Sequence, residues 1–135
     1  MRASPSLAVG DSPVQRRVGP VTPTDLVRFA GAGGDFNPLH HDESAARAAG
    51  FESIIAMGQY TAGLLAGLVT DWVGVEHLRA FEVRFVAPVV VGNAIDLAAE
   101  VVEVHGGEAR LIVVARVGAK DVVTATARVV CANLG

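Results

Sequence analysis

The sequence predicts an α+β domain in which an antiparallel sheet wraps around one long central helix. Three observations lead there. The segment Tyr60 to Val73 is apolar nearly all round, with Ala62, Leu64, Leu65, Ala66, Leu68, Val69, Trp72 and Val73, and a helix lacking a polar face is covered on most sides. The C-terminal half reads as strands, with Phe81, Val83 and Phe85 alternating with Glu82 and Arg84, and turns at Gly106-Gly107 and Gly118-Ala119. The helical patterns precede the strands instead of alternating with them.

Residues 1–13 mix Ser, Pro, Gly and Ala without an apolar run. They lack the apolar centre of a secretory signal and are expected to fray as a flexible tail, leaving 14–135 as a single domain. A first strand is predicted over 14–18. Thr22 then caps a helix that starts at Pro23, where the missing N–H costs nothing, with Asp25 at the positive helix end and Gly33-Gly34 as the stop. Pro38 makes 35–40 an irregular, stiff segment, because it has no N–H and pushes Asn37 out of the helical region. Asp42 caps a short helix, Glu43 to Ala49, stopped by Gly50. After the central helix, the strand around Phe81–Phe85 is interrupted by Pro88. Strands over 94–104, 111–117 and 123–129 follow, and their short turns predict an antiparallel meander. In the last one Val123, Ala125, Ala127 and Val129 share a face opposite Thr124, Thr126 and Arg128.

Of the 135 residues, 51% are hydrophobic and 19% charged, a balance that excludes general disorder. A net charge of −3, a pI near 5.7 and the absence of any basic block beyond Arg16-Arg17 argue against a nucleic-acid binder. The single cysteine, Cys131, rules out an internal disulfide and a four-thiolate zinc site; it is read as a buried structural thiol in a reduced, cytoplasmic setting. The apolar stretch Ile54–Val75 is interrupted by Gln59, Asp71 and four glycines, which makes a poor membrane span and a good buried helix.

Chemistry is concentrated in Gly34-Asp35-Phe36-Asn37-Pro38-Leu39-His40. A carboxylate and an imidazole lie five residues apart across a proline-stiffened loop. Together they are able to hold one water, take a proton from it and return one to a substrate carbon. Residue types alone favour a plainer reading, in which Asp35 closes an Asx-turn and His40-His41 sit on the surface. His40, His41, Asp42 and Glu43 also suggest a metal site, but adjacent residues rarely enter one coordination sphere and no second ligand group follows.

Context decides between them. Asp35-Phe36-Asn37-Pro38-Leu39-His40, then Asp42-Glu43, Gly50-Phe51, Ile55-Ala56 and Gly58 with the long helix, then Arg84-Phe85, Ala87-Pro88-Val89 and Gly92, resemble the signature of the MaoC-like, (R)-specific enoyl-CoA hydratase family, whose members have the hot-dog fold. The resemblance covers about half the chain, from Thr24 to Gly92. It implies that Asp35 and His40 are the catalytic pair, that the Asn37 side chain supports the site, and that the Gly58 backbone N–H binds the thioester carbonyl oxygen. The last role has a physical basis too, since a helix N-terminus offers unpaired N–H groups to developing enolate charge. Met57 departs from the family's usual His, Gln59-Tyr60 from Met-Leu or Met-Met, and Asn93 from a frequent Asp. The first two departures bear on substrate identity.

The resemblance further implies reversible syn addition of water to a trans-2-enoyl thioester, giving an (R)-3-hydroxyacyl thioester. Coenzyme A or phosphopantetheine enters as part of the substrate, with no separate cofactor or metal. Substrate contacts are expected from Met57, Gln59, Tyr60 and, through a carrier phosphate, Arg84. Ala62, Gly63, Ala66 and Gly67 admit either an acyl chain or close packing. A homodimer is implied, with the thioester between subunits, and an acyl-carrier protein is a possible partner; neither nucleic acid nor membrane is expected as one. Three alternatives stay open: a thioesterase, an enzyme adding another nucleophile such as an amine, and a non-catalytic subunit.

Overall fold

The computed structural model describes residues 1–133, so the last two residues of the domain predicted over 14–135 lie outside the described residues. In chain order, β1 (Arg16–Val18), α1 (Pro23–Gly33), α2 (Glu43–Ala48) and α3 (Gly58–Val73) precede β2 (Leu78–Phe85), β3 (Ile95–His105), β4 (Glu108–Val117) and β5 (Lys120–Val130). Short 3₁₀ turns lie between α1 and α2, at Pro38–His40, and after α3, at Val75–His77. The helices thus come first and the main strands last, as the sequence predicts.

The sheet is antiparallel throughout, in the order β1-β3-β4-β5-β2. This corrects the meander expected for all consecutive strands. Only β3, β4 and β5 form one. β2 lies at the far edge against β5, with Phe85 opposite Val123 and Glu82 opposite Thr126. The connection 86–94 is therefore a crossing. It is held along the way by Ala56 N–H to the Val89 carbonyl (2.8 Å), Val91 N–H to the Ile54 carbonyl (3.0 Å) and Gly92 N–H to the Val21 carbonyl (2.8 Å). That crossing brings 86–89 over the N-terminus of α3.

One face of the sheet carries Ile95, Leu97, Ala99 and Val101 of β3, Leu111, Val113 and Ala115 of β4, and Val123, Ala125, Ala127 and Val129 of β5, all buried. Against it pack Leu65, Leu68, Val69 and Val73 of α3. Full burial of each such side chain stabilises the fold by roughly 1.5–3 kcal/mol. Within one chain, however, the sheet covers only one side of α3: Gln59 and Gly63 are exposed, and Leu64, Ala66 and Gly67 are half-buried. That open side forms a groove of about 620 Å³ with Phe29, Phe81, Val83 and Phe85. The all-round apolar character of α3 thus exceeds what its own sheet buries.

The N-terminal segment, for which composition alone predicts fraying, lies against the body. Leu7 is buried, Gly10 N–H donates to the Val101 carbonyl and Val101 N–H to the Asp11 carbonyl (both 2.9 Å), and Ala132 N–H donates to the Pro5 carbonyl (2.8 Å). A single apolar anchor and strand-like pairing leave little periodic signal in a sequence. Cys131 is buried at the end of β5, and burial raises its thiol pKa.

Candidate active site

The site begins with the end of α1. Thr22 and Asp25 form a reciprocal cap: Asp25 N–H donates to Thr22 Oγ1 (3.1 Å) and Thr22 N–H to Asp25 Oδ2 (2.8 Å). The Thr22 N–H holds the Asp25 carboxyl below the usual carboxylate range. At the other end Gly34 takes a left-handed conformation (φ 73°) and returns its N–H to the Ala30 carbonyl, which turns the chain out of the helix. Two side-chain turns follow. Asp35 Oδ1 accepts the Asn37 N–H (3.2 Å), and Asn37 Oδ1 accepts the Leu39 N–H (3.1 Å), capping the 3₁₀ turn that Pro38 begins. The Asx-turn reading and the catalytic reading of Asp35 are therefore compatible, because they use different oxygens.

The turn is then fixed to the segment leading into α3. Ile55 N–H donates to the Leu39 carbonyl (3.0 Å). The His40 ring Nδ1 lies 2.7 Å from the Ile55 carbonyl. A carbonyl only accepts, so Nδ1 carries the proton, and neutral His40 presents a bare Nε2. This Nε2 lies 3.5 Å from Asp35 Oδ2, with the imidazole one-tenth and the carboxylate nearly half exposed. Two acceptors that face each other need a donor between them, which is the position of a water molecule or of a proton on His40.

The N-terminus of α3 adjoins this pair. Its cap residue, Met57, is extended and supplies no side-chain hydrogen bond, so the Gly58 and Gln59 N–H groups are left without a partner among the described residues. Gly58 has no positive φ; the reason for glycine is steric. A Cβ there would sit 2.7 Å from Cε1 and 2.8 Å from Cδ1 of Phe85, whose ring lies over the first turn of the helix.

Asp35, His40, Met57, Gly58 and Gln59 line one cleft of about 440 Å³, together with Ile55, Ala56, Thr61, 85–89 and Val123. Most of the residues singled out from sequence are thus brought together. Asn37 supports the loop through its cap. Met57 borders the cleft but is 2% exposed and belongs to the apolar core, a position suited to a thioether. Tyr60 lies away from the cleft, half-buried and edge-on to Phe29 with centroids 5.6 Å apart; burial raises its phenol pKa. Arg84 is also not brought in. Strand alternation puts it beside Glu82, Ile112, Thr124 and Thr126 on the outer face of the sheet. His41, Asp42 and Glu43 diverge as well. His41 is exposed, Asp42 caps α2 through Ser44 and Ala45 N–H, and Glu43 pairs with Arg47 at 2.8 Å.

Sequence reasoning missed Thr61, Val123, the Ile55 carbonyl and the role of Phe85. For Phe85 a signal existed, since Arg84-Phe85 and Ala87-Pro88-Val89 read as one motif; the crossing that carries it to the cleft has no local signature.

Comparisons with known proteins identify the family. Residues 5–123 match the family model described as MaoC like domain. The 3-hydroxyacyl-thioester dehydratase X of Mycobacterium tuberculosis is 36% identical over 72 residues, 53% of this chain and 25% of that protein. This chain thus spans about a quarter of that relative. The 3-oxo-4,17-pregnadiene-20-carboxyl-CoA hydratase beta subunit of the same organism is 34% identical over 105 residues, 77% of this chain and 81% of that one. Among solved structures, the (R)-hydratase from A. caviae involved in PHA biosynthesis superposes with a TM-score of 0.84 at 27% identity, covering 94% of this chain and 98% of that one. The chain therefore belongs to the MaoC-like family of hydratases and dehydratases and has the hot-dog fold.

Proposed function

We propose that this chain catalyses the reversible syn addition of water to trans-2-enoyl thioesters, giving (R)-3-hydroxyacyl thioesters. The observation that carries the reading is the Asp35–His40 pair, 3.5 Å apart and pinned through His40 Nδ1 to the Ile55 carbonyl, in one cleft with the unpaired N–H groups of α3. A water placed between the pair donates one O–H to His40 Nε2 and one to Asp35 Oδ2, leaving a lone pair for C3. The thioester carbonyl oxygen accepts from the Gly58 N–H, where charge develops. A backbone donor of this kind is worth about 3–4 kcal/mol to the transition state. The water oxygen bonds to C3, its proton passes to the dyad, and the dyad returns a proton to C2 on the same face, so that one water is consumed. Dehydration runs through the same steps in reverse.

Coenzyme A or phosphopantetheine is part of the substrate. No Lys or Arg lines the cleft, so the carrier's phosphates lie beyond it, and an acyl-carrier protein is a fitting partner. The groove on the open side of α3 and the unpaired edge of β2 are covered by a second copy of the chain, forming a homodimer. A relative named as a beta subunit supports a related partner chain as the second reading; mass measurement of the purified chain alone separates the two.

The test is incubation with crotonyl-CoA and longer enoyl-CoAs, following loss of enoyl thioester absorbance with free thiol assayed in parallel. Hydration without thiol release is expected, abolished by Asp35→Asn or His40→Ala with folding retained. Undiminished activity in both variants refutes the assignment, and thiol release alone makes the protein a thioesterase.

A further inference from the structure

Among the described residues, two polar side chains are buried: His77, 4% exposed, and Thr61, 1% exposed. His77 has a partner, the Arg2 carbonyl at 3.2 Å from Nε2. Thr61 has none. Helical threonines commonly turn the hydroxyl back onto a carbonyl three or four residues earlier, as Thr70 does onto Gly67 at 3.4 Å; Thr61 makes no such bond. Its oxygen is nevertheless not sealed, because no fully enclosed side-chain oxygen lacks a partner. The hydroxyl therefore keeps some exposure, and Thr61 lines the catalytic cleft.

A hydroxyl so nearly enclosed takes its hydrogen bond from what fills the cleft. Ile55, Ala56, Val89 and Val123, which line the same cleft, have apolar, buried side chains. Thr61 lies three residues after Gly58 on the same helix, hence on the same face and about 4.5 Å deeper along the axis. A thioester whose carbonyl oxygen rests on the Gly58 N–H has its C3 oxygen within one such step.

We propose that the Thr61 hydroxyl is the hydrogen-bond partner of the oxygen at C3, added as water in one direction and lost in the other, and that it sets the preference of the cleft for 3-hydroxyacyl over saturated acyl thioesters. The inference rests on the hydration reading. It makes Thr61 a third polar group on the oxygen that Asp35 and His40 handle, reached from α3. A site built to bond a hydroxyl discriminates against the ligand lacking it, because its own polar group is then left unpaired.

The experiment is calorimetric titration with (R)-3-hydroxybutyryl-CoA and with butyryl-CoA, which lacks the C3 oxygen, in an Asp35→Asn background that prevents turnover. Thr61→Val is expected to weaken the hydroxyacyl probe about 5- to 10-fold, the worth of one net hydrogen bond, and to leave butyryl-CoA unchanged. Thr61→Ser restores the discrimination. Should Thr61→Val fail to fold by circular dichroism, Thr61→Ala gives the same comparison. Equal losses for both probes, or no loss for either, overturn the proposal. The wild-type crotonyl-CoA assay reports separately on the reaction: hydration with no discrimination at Thr61 leaves the reaction and removes the residue, whereas discrimination without hydration does the reverse.

Discussion

Substituting Gly58 by Ala tests whether the ring of Phe85 shapes the proposed active site at the N-terminus of α3. The new methyl lands 2.7, 2.8 and 3.1 Å from three ring carbons, closer than carbon atoms tolerate, so one partner must move. The backbone of α3 is held by its own hydrogen bonds and by the buried Leu65, whereas Phe85 is 54% exposed; the ring gives way. Since about half of the ring is already in water, its displacement forfeits only part of the roughly 1.5–3 kcal/mol that burial of a Phe supplies, about 1 kcal/mol. Against this, replacing Gly by Ala in a helix gains up to about 0.5–1 kcal/mol. The two nearly cancel, and urea unfolding should place Gly58→Ala within about 1 kcal/mol of wild type. Activity behaves differently. The displaced ring lines the same cleft as Asp35 and His40, and a misplacement of about 1 Å near the chemistry can cost roughly 100-fold. Hence kcat/KM for crotonyl-CoA should fall at least 10-fold, and Phe85→Leu in the Gly58→Ala background should recover most of it. A loss of several kcal/mol in stability, or full activity in the single variant, would refute the reasoning, the first because the ring could not yield and the second because its position would not matter.

Four further outcomes follow from the same geometry. Thr22→Ala removes the α1 cap and should cost about 1 kcal/mol by urea titration. The carboxyl of Asp25 is held below its ordinary range by the Thr22 N–H. Its contribution is therefore present above the ordinary carboxylate range and lost as pH falls through the lowered value, so the stability gap between wild type and Asp25→Asn should close on acidification. Cys131 is buried and its thiol pKa raised, so iodoacetamide at neutral pH should label it only when urea unfolds the chain; rapid native labelling would contradict the packing. Arg84 faces away from the cleft, so Arg84→Ala should leave KM for crotonyl-CoA within about 2-fold, a change too small to represent a lost charged contact to substrate.

The sequence by itself determined what is local and chemical. Thr22 with Pro23, Asp42 and Gly34 bound their helices because capping is a matter of a few neighbouring atoms. The alternation of Val123, Ala125, Ala127 and Val129 assigned a face because the period of a strand is two. Asp35, Asn37, Pro38 and His40 marked the candidate site because a loop held by its own side chains carries its instructions within six residues. Only the tertiary structure decided the rest. Which edge β2 occupies depends on pairing with β5, some forty residues on, and that choice carries Phe85 over Gly58 while leaving Arg84 on the outer face. The burial of Thr61 and the open side of α3 likewise belong to surfaces that exist only once sheet and helix meet, since a residue's exposure is a property of everything packed around it and not of its neighbours in the chain.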